Sequence, residues 1–202
     1  MFYLEQARYY GEAMLPGLLA AALMFAGLYR WRQRRLAARN LTSGPVREGT
    51  LLLFWMFCGG LAMLTLTPWG FHWVSWLRYG VVSDSGHWFS MGSLNLIPFQ
   101  TLEMGAQTRY TLFNLLGNLV VFLPFGFFAG LLWRGGGWKR ALLVGLSITG
   151  FIEAAQLLVG RACDVDDLLL NTLGVLCGYG LWRLLDAGTH GRVRLHGRKQ
   201  RK

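Results

Sequence analysis

Residues Thr111–Trp133 read TLFNLLGNLVVFLPFGFFAGLLW, a run of 23 residues without one charged side chain. At 1.5 Å rise per residue, a helix of that length crosses the roughly 30 Å hydrocarbon core of a bilayer. Working outward, four further blocks have the same character: Met14–Trp31, Thr50–Thr67, Ala141–Val159 and Asp166–Leu185. Each falls in the range of about 17–25 residues that a spanning helix needs. Together they fill most of the chain and leave no room for a separate soluble domain. The expected fold is therefore all-α: one polytopic membrane domain over 1–202, a bundle of five transmembrane helices. The first block is flanked N-terminally by Glu5, Arg8 and Glu12, with the basic run after it, so it reads as a retained helix and not a cleaved signal.

Composition agrees with that reading. Of the 202 residues 53% are hydrophobic and only 15% charged, and mean hydropathy is +0.35. These values exclude a disordered chain, a collagen and a disulfide scaffold. The net charge of +10 would suggest nucleic acid in a soluble protein. Here its placement says otherwise. With the N-terminus outside and the C-terminus inside, sixteen of the twenty Lys and Arg residues fall in the three inner segments. Those segments then sum to +14 and the remainder to −4, as expected where short cytoplasmic segments collect basic residues. Trp31, Trp133, Trp138 and Trp182 fall near the inner boundary, and Trp69, Trp73, Trp76 and Trp88 in the outer loop, suggesting aromatic belts at both interfaces. The basic tail 191–202 carries no interleaved aromatic on which bases could stack. It reads as a cytoplasmic topology signal that meets anionic headgroups, and no nucleic-acid partner is expected.

The long loop 68–110 opens with Trp73, Trp76, Leu77 and Val81 at helical spacing, which predicts a short interfacial helix over Phe71–Val81. His72 and His87 lie in the same loop and read as solvated side chains. The three cysteines have no CxxC or metal-ligand spacing. Cys58 and Cys177 read as small packing residues and Cys163 as an exposed free thiol.

Polar residues inside the apolar blocks are the informative ones, because lipid penalises them. Glu153 stands six residues from the outer end of the fourth block, about 9 Å deep. Gly145, Thr149, Glu153 and Gln156 form one helical stripe, and Asp167, Asn171, Gly174 and Gly178 form another in the fifth block. Gly174 and Gly178 are a GxxxG pair that admits a close backbone. Asn114 and Asn118 lie one turn apart in the third block, where Pro124 removes an amide donor and predicts a kink. Three helices thus bring polar groups to the outer half, with Arg161, Asp164, Asp166 and Asp167 at the adjoining loop. A structural account also exists: Asp164 can cap the fifth helix, Asp166 and Asp167 suit its positive end, and the asparagines can bond between helices.

Three motifs carry a resemblance. They are Asn95–Phe99 (NLIPF), Asn114–Gly126 (NLLGNLVVFLPFG), and Glu153 with Gln156 and Gly160–Gly174 (GRACDVDDLLLNTLG). Over about 95–182 the chain resembles the VanZ-like family, small membrane proteins named for a teicoplanin-resistance accessory. Cys163 departs from the large apolar residue usual there. The resemblance implies a multi-pass protein of the bacterial cytoplasmic membrane with a role at the cell envelope linked to antibiotic resistance. Two mechanisms follow. In the first, Asn114, Asn118, Gln156, Arg161, Asp164, Asp167 and Asn171 bind a lipid-linked envelope precursor, a polar headgroup or a lipopeptide. In the second, the site is an intramembrane enzyme with Glu153 as catalytic acid or base, and only then would Mg²⁺ be expected at the Asp164–Asp167 turn. Binding is the preferred account, with no cofactor and with membrane lipids as the surrounding partners. DxDD alone is a weak metal signal.

Overall fold

The computed structural model describes residues 2–67, 92–99, 109–133, 137–190, 195 and 198–199. Six helices are present among them: α1 (Phe2–Gly27), α2 (Tyr29–Ala37), α3 (Pro45–Leu66), α4 (Arg109–Leu132), α5 (Gly137–Leu158) and α6 (Val165–Gly188). Four two-residue strands accompany them, β1 (Leu41–Thr42), β2 (Leu94–Asn95), β3 (Cys163–Asp164) and β4 (Arg198–Lys199). The chain is an all-α membrane protein. Four helical stretches are long and apolar enough to cross a bilayer, Arg8–Gly27, Pro45–Leu66, Gly137–Leu158 and Val165–Gly188. In α4 the corresponding apolar stretch is shorter, Leu116–Leu132. The interfacial helix expected over Phe71–Val81, both loop histidines and most of the basic tail lie outside the described residues.

The chain divides into two compact units. The first comprises Met1–Met91, Leu158–Arg161 and Gly197–Lys202, and the second Gly92–Leu157 and Ala162–His196. In the first unit α1 and α3 form an antiparallel pair. Gly17 and Gly59 face each other so closely that a Cβ on either would strike the other's carbonyl, which is how small residues drive helix pairing in lipid. Further along, Phe25 packs edge-on against Trp55 at 5.8 Å. The block expected to run on to Trp31 breaks one turn earlier. Leu28, at φ −83° and ψ −1°, separates α1 from α2, although Leu28 N–H still donates to Met24 O and Arg32 N–H to Leu28 O. Pro45 then starts α3, where its missing N–H costs nothing.

In the second unit α4 and α6 run parallel. A Cβ on Gly174 would meet the Leu119 carbonyl, and one on Gly178 the Leu123 carbonyl, so the GxxxG pair finds its close backbone in α4. Helix α4 continues unbroken through Pro124. Antiparallel to α6, α5 sets Gly145 against Thr172 and Val175. Its burial pattern is inverted relative to a soluble helix: Gly145, Thr149, Glu153 and Gln156 are buried, whereas Leu143, Leu146, Phe151 and Leu158 are exposed. Only an apolar solvent tolerates that arrangement at no cost.

Two sequence readings are corrected. Trp182 does not belong to an interfacial belt. It is buried against Gly130 and beside Tyr179, whereas Trp31, Trp133 and Trp138 are exposed. Cys177 is exposed on the face of α6, so it fills no packing gap, because the Gly174–Gly178 face is the one turned to α4.

Candidate functional site

The polar residues of α4, α5 and α6 meet at one end of the second unit. The Asp164 side chain caps α6 by accepting from Asp166 N–H at 2.9 Å, which satisfies one of the orphan amides of the first turn. Its other oxygen accepts from Asn95 Nδ2 at 3.3 Å. Strands β2 and β3 pair in parallel there, Leu94 beside Cys163 and Asn95 beside Asp164. Gly92 N–H donates to Leu157 O and Cys163 N–H to Ser93 O. Asn95 Oδ1 in turn accepts from Ile97 N–H at 3.3 Å, closing a small turn. The NLIPF segment is thereby fastened to the start of α6.

Each remaining carboxylate holds a different piece of chain. Asp166 is wholly buried and accepts from Phe99 N–H at 2.6 Å. Asp167 accepts from Asn118 Nδ2 at 2.5 Å, tying α4 to α6. Glu153, only 4% exposed, accepts from Asp164 N–H at 3.1 Å and also engages the Cys163 thiol. One turn further along α5, Thr149 Oγ1 accepts from Asn171 Nδ2 at 2.9 Å. The site is rich in acceptors. Asn171 Oδ1 and Thr172 Oγ1 are also buried there without a hydrogen-bond partner.

Of the residues singled out by sequence, Asn118, Glu153, Asp164, Asp167 and Asn171 join this network, and Gln156 is buried on the same face of α5. Asn114 lies in α4, its side chain outside the described residues. Arg161 belongs to the first unit, where its Nη1 donates to Leu64 O at 2.8 Å and Thr65 O at 3.5 Å, covering the end of α3. Asn95 and the Phe99 amide were not singled out as site groups. The available signal was the Asn followed by a Pro-containing turn, a combination that favours Asx turns. Cys163 is half-buried and not the exposed thiol expected from sequence. Burial, reinforced by the negative charges of Glu153, Asp164 and Asp167, raises its thiol pKa. Among the described residues no group of three His, Cys, Asp or Glu side chains stands close enough to hold a metal ion.

Neither the curated proteins nor the solved structures contain a match to the chain. A family model does match, VanZ/LLP1, over residues 54–186. It reaches back from the three motifs into α3, and it covers the whole polar network of the second unit. With about two thirds of its length so matched, the chain belongs to the VanZ/LLP1 family.

Proposed function

We propose that this envelope membrane protein crosses the bilayer five times, N-terminus outside and C-terminus inside, and binds the polar head of a lipid-linked envelope precursor or lipopeptide in its outer half. The fifth span is α4, which is 24 residues long and runs parallel to α6 with antiparallel α5 between them in sequence. The pairing of β1 with β4 is consistent with an even number of crossings between the first loop and the C-terminal tail, because it holds both on one side, and the basic residues of those segments favour the inner side. Glu153 carries the binding reading: a buried carboxylate in an apolar helix, beside Asp164 and Asp167. Such a cluster suits a headgroup that brings N–H and O–H donors, such as sugar hydroxyls and peptide amides.

The test uses the full-length protein in lipid nanodiscs and two probes, a polyprenyl-linked disaccharide-peptide and a bare polyprenyl phosphate. The first should bind and the second should not. Glu153→Ala should weaken the first by about tenfold or more, the scale of one lost charged hydrogen bond. Equal binding of both probes, or an unaffected Glu153→Ala, would overturn the reading. Conversion of the probe to a new product would make the site an enzyme instead.

A further inference from the structure

We propose that α2 and the β1–β4 ribbon together form a binding face for the phosphate groups of anionic phospholipids. Helix α2 reads YRWRQRRLA, with four arginines and no acid. One of the four, Arg32, turns inward. Its guanidinium lies 3.5 Å from the centre of the Phe25 ring, donates to Phe25 O at 2.9 Å and pairs with Glu48 at 2.7 Å. These contacts fix α2 against the end of α1 and the start of α3. They also engage Glu48, the sole acid between residues 13 and 83.

The other three arginines of the helix, Arg30, Arg34 and Arg35, are exposed. So are Tyr29 and Trp31, and the Arg35 guanidinium stacks 4.4 Å from the Trp31 ring. Immediately after α2, β1 pairs antiparallel with β4, Leu41 beside Lys199 and Thr42 beside Arg198. Two segments more than 150 residues apart in the chain are thus joined by their backbones, and both are basic. Residues 29–48 hold six arginines against one glutamate, and residues 197–202 hold four basic residues and no acid. Backbone pairing that gathers like charges is favoured when an anionic partner offsets their repulsion.

Position selects the partner. Helix α2 starts one residue beyond the apolar α1, whose Leu23 and Met24 are exposed, and the apolar run of α3 begins at Leu51, after Arg47 and Glu48. The face therefore stands at the boundary where phospholipid phosphates lie, and Trp and Tyr rings favour that level. A nucleic acid could use the charge and the rings, but not the exposed aliphatic border of Leu23 and Met24 beside them. The proposal concerns the first unit alone and stands or falls independently of the Glu153 site.

Spin-labelled phosphatidylglycerol and phosphatidylcholine, compared by paramagnetic resonance on the full-length protein in phosphatidylcholine vesicles, test it. Phosphatidylglycerol should be selected, and added salt should weaken the selection. Changing Arg30→Gln, Arg34→Gln and Arg35→Gln together should reduce its relative affinity about fivefold or more, the scale of a single basic side chain at an anionic surface. The same three positions changed to Lys should keep most of it. All three side chains are exposed, and unchanged helicity of the Gln variant separates loss of charge from loss of fold. No selection by the wild type, or selection unchanged in the Gln variant, would overturn the proposal. So would displacement of the lipid by millimolar inorganic phosphate, which would make the ligand a free anion. Tighter binding of a single-stranded RNA oligonucleotide than of phosphatidylglycerol would assign the face to nucleic acid.

Discussion

A carboxylate inside an apolar helix persists only where its oxygens find donors. Glu153 finds one in the Asp164 amide, so its removal leaves a part-buried N–H without its acceptor as well as deleting the carboxyl group. Glu153→Ala should lower stability by about 1–3 kcal/mol, whereas Glu153→Gln keeps an acceptor and should stay within about 1 kcal/mol of wild type. Thermal unfolding in a neutral detergent would measure both, and equal losses would contradict the bond. Cys163 offers a pH-dependent reporter of the same corner. Alkylation consumes the thiolate, and a raised thiol pKa leaves less thiolate at neutral pH. The alkylation rate at pH 7 should therefore fall below that of an exposed cysteine and continue to climb above pH 9. Because Glu153 contributes to the rise, Glu153→Gln should move the pH–rate curve to lower pH. An unmoved curve would separate the two side chains.

Helix α6 is fixed at both its start and its flank by local features that act differently. At the start, Asp164 caps the first turn and holds Asn95. Asp164→Ala should cost about 1–2 kcal/mol, the usual loss of an N-cap, and should also free the NLIPF segment. Faster amide exchange of Leu94–Phe99 would show it, and exchange confined to α6 would argue against the tether. Along the flank, Gly178 lies against the Leu123 carbonyl with no room for a side chain. Gly178→Leu should force α4 and α6 apart and cost about 1–3 kcal/mol or more. Gly180 has open space around it, so Gly180→Leu should be tolerated in lipid. A similar unfolding temperature for the two variants would refute the parallel packing of α4 on α6.

Charge asymmetry predicts an orientation for the whole chain that labelling can read. With the N-terminus outside, Cys163 should react with a membrane-impermeant maleimide on intact cells, slowly for the reason given above. A cysteine placed at Arg134, in a background where Cys58, Cys163 and Cys177 are replaced by Ser, should react only after the membrane is opened. The reverse pattern would invert the topology. The fold itself follows from the solvent: when lipid surrounds the helices, apolar side chains such as Leu23, Phe151 and Leu184 can remain exposed, and the polar stripes turn inward.

How much of this was legible in advance depended on the range of the interaction. Apolar length and 3.6-residue periodicity are local, so the long helices, the inward stripe Gly145–Gln156 and the cap at Asp164 could be read directly from residue order, whereas the basic α2, read as loop, could not. The GxxxG pair announced a close approach, but α4 as its partner emerged only once the chain had folded, because any helix can fill such a groove. Arg161 illustrates the boundary most clearly. Its nearest charged residue in sequence is Asp164, and Arg161 Nη1 donates to the carbonyls of Leu64 and Thr65, nearly a hundred residues earlier. Likewise, β2 beside β3 and β1 beside β4 are two-residue pairings with no periodic signature. Strands that short are specified by the elements that carry them into register, and those elements are assembled by contacts far apart along the chain.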